Sequence, residues 1–191
     1  MIGSPKRIAA VGACVFALAG GSIALAGVGK NKDDDNSFSA HLIGFNEVPA
    51  NNTAGHADLT FTMTSTQITF RLVYADLSGP PGAAHIHVGQ KNVNGNVAVF
   101  FCGGGGQAAC PATTSGTVTG TITAANVVGP TSQGFNVGDL AAVERAINAG
   151  VTYANIHTAK FLNGEIRGQV RRGGGNGDEG NKNKKEKKKD K

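Results

Sequence analysis

The sequence has little charge and few aromatic side chains. Charged residues make up 16% of the 191 positions, aromatic residues make up 6%, and tryptophan is absent. Between Ser37 and Arg172 there are seven basic and six acidic residues. This part of the chain is nearly neutral and has no basic face that would bind nucleic acid specifically. The formal net charge of +5 comes instead from residues 181–191, which contain seven lysines.

Motifs of common enzyme classes are also missing. The sequence contains no Gly-x-Ser-x-Gly, the motif that carries the nucleophile of α/β-hydrolases. The glycines at 103–106 do not lead into a helix with a lysine, so they do not form a phosphate-binding P-loop. We therefore predict that the protein is not an enzyme.

The N-terminal segment has the pattern of an export signal. Lys6 and Arg7 precede an apolar stretch from Ile8 to Leu25, and Ala24-Leu25-Ala26 fits a signal-peptidase site. This pattern predicts a signal peptide at residues 1–26 and a protein that is secreted, periplasmic or held at the cell surface. The alternative is an uncleaved membrane anchor at residues 8–28, a stretch as long as the roughly 20 apolar residues that span a bilayer but rich in glycine and alanine.

Cysteine is scarce, with only three in the chain. Cleavage of the signal peptide removes Cys14 and leaves Cys102 and Cys110. An even number of cysteines in an oxidising compartment, separated by a short glycine-rich spacer, predicts a disulfide between them.

Glycine, in contrast, is abundant, with 29 residues. Turn signals rich in glycine separate short runs in which apolar and polar residues alternate, as in Gly55 to Met63 and Gln67 to Tyr74. One segment, Asp139 to Ala149, has helical spacing instead. The pattern predicts an all-β fold, an antiparallel Greek-key-like sandwich or barrel of about eight strands, with one short helix at about 139–149.

The same pattern predicts how the chain is divided. After the signal peptide come a polar linker at 27–37, one β domain at 38–172, and a disordered Gly/Lys-rich tail at 173–191 that has too little apolar surface to fold. The lysine-rich tail is expected either to contact an anionic surface or to keep the protein in solution.

Three short segments concentrate polar side chains at two-residue spacing. His85 and His87 would share one face of a strand, as would Asn155 with His157 and Glu165 with Arg167, because side chains alternate along a strand. An isoleucine lies between the members of each pair and would point the other way.

These segments, with others in the same order, resemble the CHRD domain, which is named from chordin and is widespread in secreted bacterial proteins. The resemblance runs from about Phe38 to Val170 and is carried by Leu42–Pro49, Ala84–His87, Phe101-Cys102, Cys110-Pro111, Gly120–Thr123, Tyr153–Thr158 and Gly164–Val170. It implies an extracytoplasmic all-β domain that acts as a non-catalytic binding or structural module. Its partner would be an extracellular protein or polymer that the resemblance does not identify.

The histidines offer a second interpretation, a metal site. His85, His87 and His157 would supply three imidazoles, which suit copper or zinc. Glu165 is the candidate for a fourth ligand or for a group that orients a histidine, and Asp76 is a weaker candidate. The alternative is an internal hydrogen-bond network among the same polar side chains, because burying them unpaired would be costly. The residues alone leave both interpretations open.

Overall fold

The computed structural model describes residues 36–173. The predicted signal peptide, most of the predicted linker and all but the first residue of the predicted tail lie outside the described residues. Within them the structure has nine strands, which are β1 Ser37–Ile43, β2 His56–Met63, β3 Gln67–Ala75, β4 Pro81–Val88, β5 Asn96–Cys102, β6 Gly116–Thr123, β7 Thr152–Thr158, β8 Ile166–Gln169 and β9 Arg171–Arg172. One α-helix, α1 Leu140–Asn148, lies between β6 and β7.

The strands form one antiparallel sheet that is nearly closed into a barrel. Eight of them follow one another in the order β5-β4-β7-β8-β1-β2-β3-β6, and the short strand β9 pairs with β1. The predicted all-β antiparallel fold with one helix is confirmed. Of the two predicted arrangements, sandwich or barrel, the chain adopts the barrel.

The interior of the barrel is filled by alternate residues of the strands. Leu59 and Phe61 of β2, and Phe70 and Leu72 of β3, are each at most 3% exposed, while Thr60 between the first two is exposed. Each such side chain contributes about 1.5–3 kcal/mol when it is fully buried. The alternation of apolar and polar residues in these segments therefore indicates which side chains point into the core.

The helix begins and ends at the residues that its sequence indicates. The Asp139 side chain caps the N-terminus by accepting a hydrogen bond from the Ala142 N–H at 2.8 Å. Val143 and Ile147 are buried against the barrel. Gly150, with a φ of +70°, follows the last turn in the left-handed conformation that glycine adopts most easily. In the described part of the chain, no helix is long and apolar enough to cross a membrane.

The predicted disulfide between Cys102 and Cys110 is present. Cys102 ends β5 and is buried in the core, and Cys110 packs against that core from the far end of a glycine-rich loop. The bond closes a short loop with a sequence separation of 8 residues. It therefore restrains a segment whose glycines would otherwise give it many conformations in the unfolded chain.

Replacing both cysteines with alanine should lower the free energy of unfolding by about 2–3 kcal/mol, the loop-closure entropy expected for a ring of this size. Urea denaturation of the two proteins measures the difference. A reducing agent should lower the midpoint for the wild type and leave that of the double variant unchanged. Equal midpoints for the oxidised wild type and the variant would show that the bond does not stabilise the fold.

Candidate functional site

One face of the β4–β7 pair is polar and lies on the outside of the barrel. His85 pairs with Asn155 and His87 with Tyr153 across the two antiparallel strands, and residues that pair directly share a face of the sheet. His157 lies two residues beyond Asn155 and falls on the same face. The isoleucines between these polar residues point into the core, where they are fully buried. The two-residue spacing thus predicted the faces of these side chains correctly.

Three connecting segments cover this polar face. They are residues 44–55, 89–95 and 159–165. The Asn94 side-chain amide of the second segment donates to the Val48 carbonyl of the first at 3.1 Å, which holds the two together. As a result His85 and His87 are only 6% and 8% exposed, although they lie on the outer face of the sheet.

The three histidines predicted as metal ligands lie together. The ring centroid of His85 lies 4.6 Å from that of His87 and 4.6 Å from that of His157. The centroids of His87 and His157 are 6.5 Å apart. One ring nitrogen from each histidine can be chosen so that all three lie within 4.8 Å of one another. The strand pairing therefore assembles a compact three-imidazole cluster.

Backbone carbonyls determine which nitrogen carries the proton in two of these rings. His87 Nδ1 donates to the Gly95 carbonyl at 2.9 Å, and His157 Nδ1 donates to the Leu162 carbonyl at 2.8 Å. In the neutral rings this leaves a lone pair on each Nε2. Nε2 of His157 and Nδ1 of His85 are buried, and within residues 36–173 neither has a hydrogen-bond partner.

The lone pair on Nε2 of His87, in contrast to that of His157, faces another polar group, the Asn155 side chain. Asn155 Oδ1 lies 3.1 Å from this nitrogen. Because the proton of the neutral ring is on Nδ1, a half-turn of the amide is needed to place its NH₂ group there as a donor. The contact between Asn155 and His87 links the two strands.

All three imidazoles are kept neutral. The pKa of His85 is lowered to about 2, chiefly by burial and to a lesser extent by the neighbouring His87 and His157 rings, against the opposing effect of the Asn155 side chain. Burial also lowers the pKa of His87 to about 4, despite its hydrogen bond to Gly95, and it lowers the pKa of His157. At neutral pH the rings are therefore in the form that coordinates metals.

A stack of three side chains borders the cluster. The Tyr153 ring lies parallel to that of His87, with centroids 4.6 Å apart. The Arg167 guanidinium, from the strand on the other side of β7, lies 3.4 Å from the centroid of the Tyr153 ring, a cation–π contact. The guanidinium also donates hydrogen bonds to three acceptors of the β4–β5 loop, which are the Gln90 carbonyl, the Val93 carbonyl and Asn94 Oδ1.

Glu47 brings a buried carboxyl group to the covering loops. It is 7% exposed, and its Oε1 has no hydrogen-bond partner within the described residues. Burial raises its pKa to about 7, although Arg167 and the Val48 N–H act in the opposite direction. The carboxyl packs against Gly164, where a Cβ would come within 2.5 Å of Oε1 and where φ is +122°. Only glycine fits at that position.

Glu165 is not part of the histidine cluster. Its carboxylate is fully buried and accepts hydrogen bonds from the Thr53 hydroxyl at 2.6 Å, the Ser78 N–H at 2.8 Å, the Ser78 hydroxyl at 2.6 Å and the Thr158 hydroxyl at 2.5 Å. Burial alone would raise its pKa, but these bonds outweigh burial and hold the pKa below its usual value. The expectation that Glu165 would ligate or orient a histidine is not met, because β8 begins only at Ile166 and the strand alternation does not extend to Glu165.

The other polar candidates lie elsewhere on the surface. The exposed Asp76 carboxylate is 3.9 Å from His56 Nδ1, and His41 Nδ1 is 2.8 Å from the Asp58 carboxylate. Asp76 therefore takes no part in the cluster.

Sequence reasoning assigned no role at the site to Tyr153, Arg167 or Glu47, although it placed Arg167 in one of the polar segments. For the first two a signal existed, because Tyr153 shares the two-residue spacing of Asn155 and His157, and Arg167 lies on the strand paired with them. No local pattern marks Glu47, which lies in a loop.

Comparison with known proteins gives one finding. The family model described as the CHRD domain matches residues 38–170. No curated protein and no solved structure gives a significant match to the chain. The matched residues include strands β1 to β8, apart from Ser37 at the start of β1. They also include the three histidines and the two cysteines of the disulfide. The chain therefore belongs to the CHRD domain family.

Proposed function

We propose that this protein is a non-catalytic metal-binding module, in which His85, His87 and His157 hold a copper or zinc ion. The observation that carries the proposal is the pair of buried nitrogens without a hydrogen-bond partner in the described residues, His85 Nδ1 and His157 Nε2. Leaving a buried polar atom unsatisfied costs about 1–3 kcal/mol. A metal ion between the rings would bind both nitrogens, with the proton of the neutral His85 ring on its Nε2.

The way in which the rings are held supports the same proposal. In metal sites, a ligating histidine almost always donates its other N–H to a carbonyl or carboxylate, which sets the tautomer and orients the ring. The carbonyls of Gly95 and Leu162 do this for His87 and His157. A donor set made only of imidazoles favours copper or zinc over magnesium or calcium, which prefer oxygen.

Binding requires small movements of the side chains. Two nitrogens that share a tetrahedral zinc ion at about 2.0–2.1 Å lie about 3.3 Å apart, whereas those of the cluster span up to 4.8 Å. Rotation of the rings about their side-chain bonds would bring them closer. The Asn155 amide, now 3.1 Å from His87 Nε2, would have to turn away as the metal enters.

The alternative, a purely structural polar network, is supported at other positions. Glu165 and Arg167 have several hydrogen bonds each, so they need no ligand to explain their burial. A purely structural network accounts less well for the histidines, because a network built for stability would not leave two of its nitrogens unsatisfied.

The proposal also includes the location of the protein. CHRD domains are generally binding domains rather than enzymes and are typically extracellular. We propose that the signal pattern at residues 1–26 exports the chain, that the lysine-rich residues 181–191 contact an anionic surface, and that the domain acts on a protein or polymer outside the cytoplasm. The N-terminal sequence of the mature protein, and its release from or retention in membranes, would test export against anchoring.

The metal proposal is tested on the tag-free chain by isothermal titration with Zn²⁺ and Cu²⁺ and by metal analysis after dialysis. We expect about one ion per chain, bound by three imidazoles. His87→Ala should weaken binding by at least about 100-fold, because it removes a ligand rather than a group that only orients one.

The matched control is His41→Ala, which removes an exposed histidine on β1 and should leave the affinity unchanged. Should His87→Ala fail to fold, His157→Gln tests the same point at a less buried position. Sub-stoichiometric binding by the folded wild type would contradict the proposal. So would an affinity that falls equally in His41→Ala and in the cluster variants.

A further inference from the structure

A pocket opens beside the histidine cluster. It has a volume of about 380 Å³ and reaches the rings of His87 and His157. This is far more space than a water molecule needs, since water occupies about 30 Å³ in the liquid, and it lies in the range of small-molecule sites. Its wall also includes Val48, Pro49, Leu162 and Asn163.

The wall of this pocket includes apolar surface that folding has not buried. The Leu162 side chain is 78% exposed at the mouth of the pocket, next to the polar cluster. Apolar wall surface beside a few convergent polar groups is typical of a site for a small organic ligand.

The charge of the site indicates the sign of that ligand. Three neutral imidazoles do not offset the charge of a divalent ion, and the buried guanidinium of Arg167 lies nearby, against the Tyr153 ring. Of the two buried carboxyl groups in the described part of the chain, Glu165 is held by hydroxyl and backbone donors on other elements. Glu47 borders the site and offsets at most the single charge of Arg167, so the charge of the metal ion stays uncompensated. A metal-loaded site would therefore attract an anion.

The coordination chemistry of the metal leaves one position free for such an anion. A zinc ion with three protein ligands keeps a fourth position for water or an exogenous ligand. We infer that, in the metal-loaded protein, this pocket binds a small organic carboxylate, with one oxygen on the metal and its hydrocarbon part against Val48, Pro49 and Leu162. The Asn163 amide, on the pocket wall, would donate to the second oxygen. This inference rests on the proposed metal site.

The test uses the tag-free full chain loaded with one equivalent of Cu²⁺, whose visible absorption and electron paramagnetic resonance spectra report changes in its ligands. Isobutyrate is titrated as the probe, with isobutyramide as the uncharged control of the same shape. We expect a saturable spectral change with isobutyrate at a Kd on the order of millimolar, in line with the binding energy available to six heavy atoms. Isobutyramide should produce none at the same concentrations.

The apolar wall is tested by Leu162→Ala, which keeps the backbone carbonyl that holds His157. This variant should weaken isobutyrate binding by about threefold or more relative to its effect on acetate, which has too little hydrocarbon to contact the wall. An equal effect on both probes would overturn the placement of the hydrocarbon part.

The remaining outcomes separate the two proposals. Stoichiometric copper with equal responses to isobutyrate and isobutyramide would overturn the carboxylate site and leave the metal site standing. Binding of azide without binding of isobutyrate would overturn the assignment to an organic ligand. A folded wild-type chain that takes up no copper would overturn both proposals.

Discussion

Replacing Glu165 with alanine should lower the free energy of unfolding by about 4 kcal/mol at neutral pH. The side chain is fully buried and accepts four hydrogen bonds from Thr53, Ser78 and Thr158. These donors come from two loops and the end of β7. Alanine would leave them facing a cavity, and each buried donor without an acceptor costs about 1–3 kcal/mol. Chemical denaturation followed by circular dichroism measures the loss.

The pH dependence of this effect has a definite sign. Because the pKa of Glu165 in the folded protein is held below its ordinary value of 4.5, the folded state favours the ionised form. The stabilisation is fully present above that ordinary value and is lost as the pH falls through the lower pKa of the folded state. The difference in stability between the wild type and the variant should therefore shrink under acidic conditions.

Asp58→Asn is the matched control. Its carboxylate is on the surface, 69% exposed, and its hydrogen-bond partner in the described part of the chain is the exposed His41. A change within about 0.5 kcal/mol is expected there. If Glu165→Ala were as mild as Asp58→Asn, the Glu165 network would not be a main source of stability.

Arg167→Met should cost about 3 kcal/mol and should also weaken metal binding. The guanidinium is 2% exposed, and its donors hold the β4–β5 loop, residues 89–95, through three acceptors. Methionine fills similar space but leaves those acceptors unpaired. Since the same loop carries the Gly95 carbonyl that orients His87, we expect copper or zinc affinity to fall about 10-fold.

Two further variants separate the loss of the guanidinium hydrogen bonds from the loss of a positive charge. Arg167→Lys keeps the charge but cannot reproduce the planar fork, so its stability should be intermediate. Arg71→Met removes an exposed arginine from β3 and should change stability by no more than about 0.5 kcal/mol. Loss of stability in Arg167→Met with unchanged metal affinity would show that the loop does not position His87.

Patterns within a few residues of one another predicted much of the fold. The alternation in β2 and β3 identified Leu59, Phe61, Phe70 and Leu72 as core residues, because in a strand the spacing alone decides the face. The helical spacing from Asp139 to Ala149 located α1, because residues three and four apart share one face of a helix. These features depend on local geometry, which does not change with the rest of the chain.

The candidate site was less predictable, since its residues come from distant parts of the chain. His87 and Asn155 are 68 positions apart, and no local pattern in either segment predicts that β4 pairs with β7. The prediction for Glu165 rested on continuing the alternation of β8 by one residue, and the chain turns at Gly164 before the strand begins. Glu47 follows no periodic pattern, so only the folded loop brings it to the site.

By itself the sequence determined the class of fold, the disulfide partners and the shared face of His85 and His87. These follow from local periodicity, from composition and from the number of cysteines. Only the tertiary structure decided that His157 joins them, that loops bury this outer face, and that two ring nitrogens lack partners within the described chain. Burial is a property of the assembled barrel, and it lowers the pKa values of the three rings, which keeps them neutral at neutral pH.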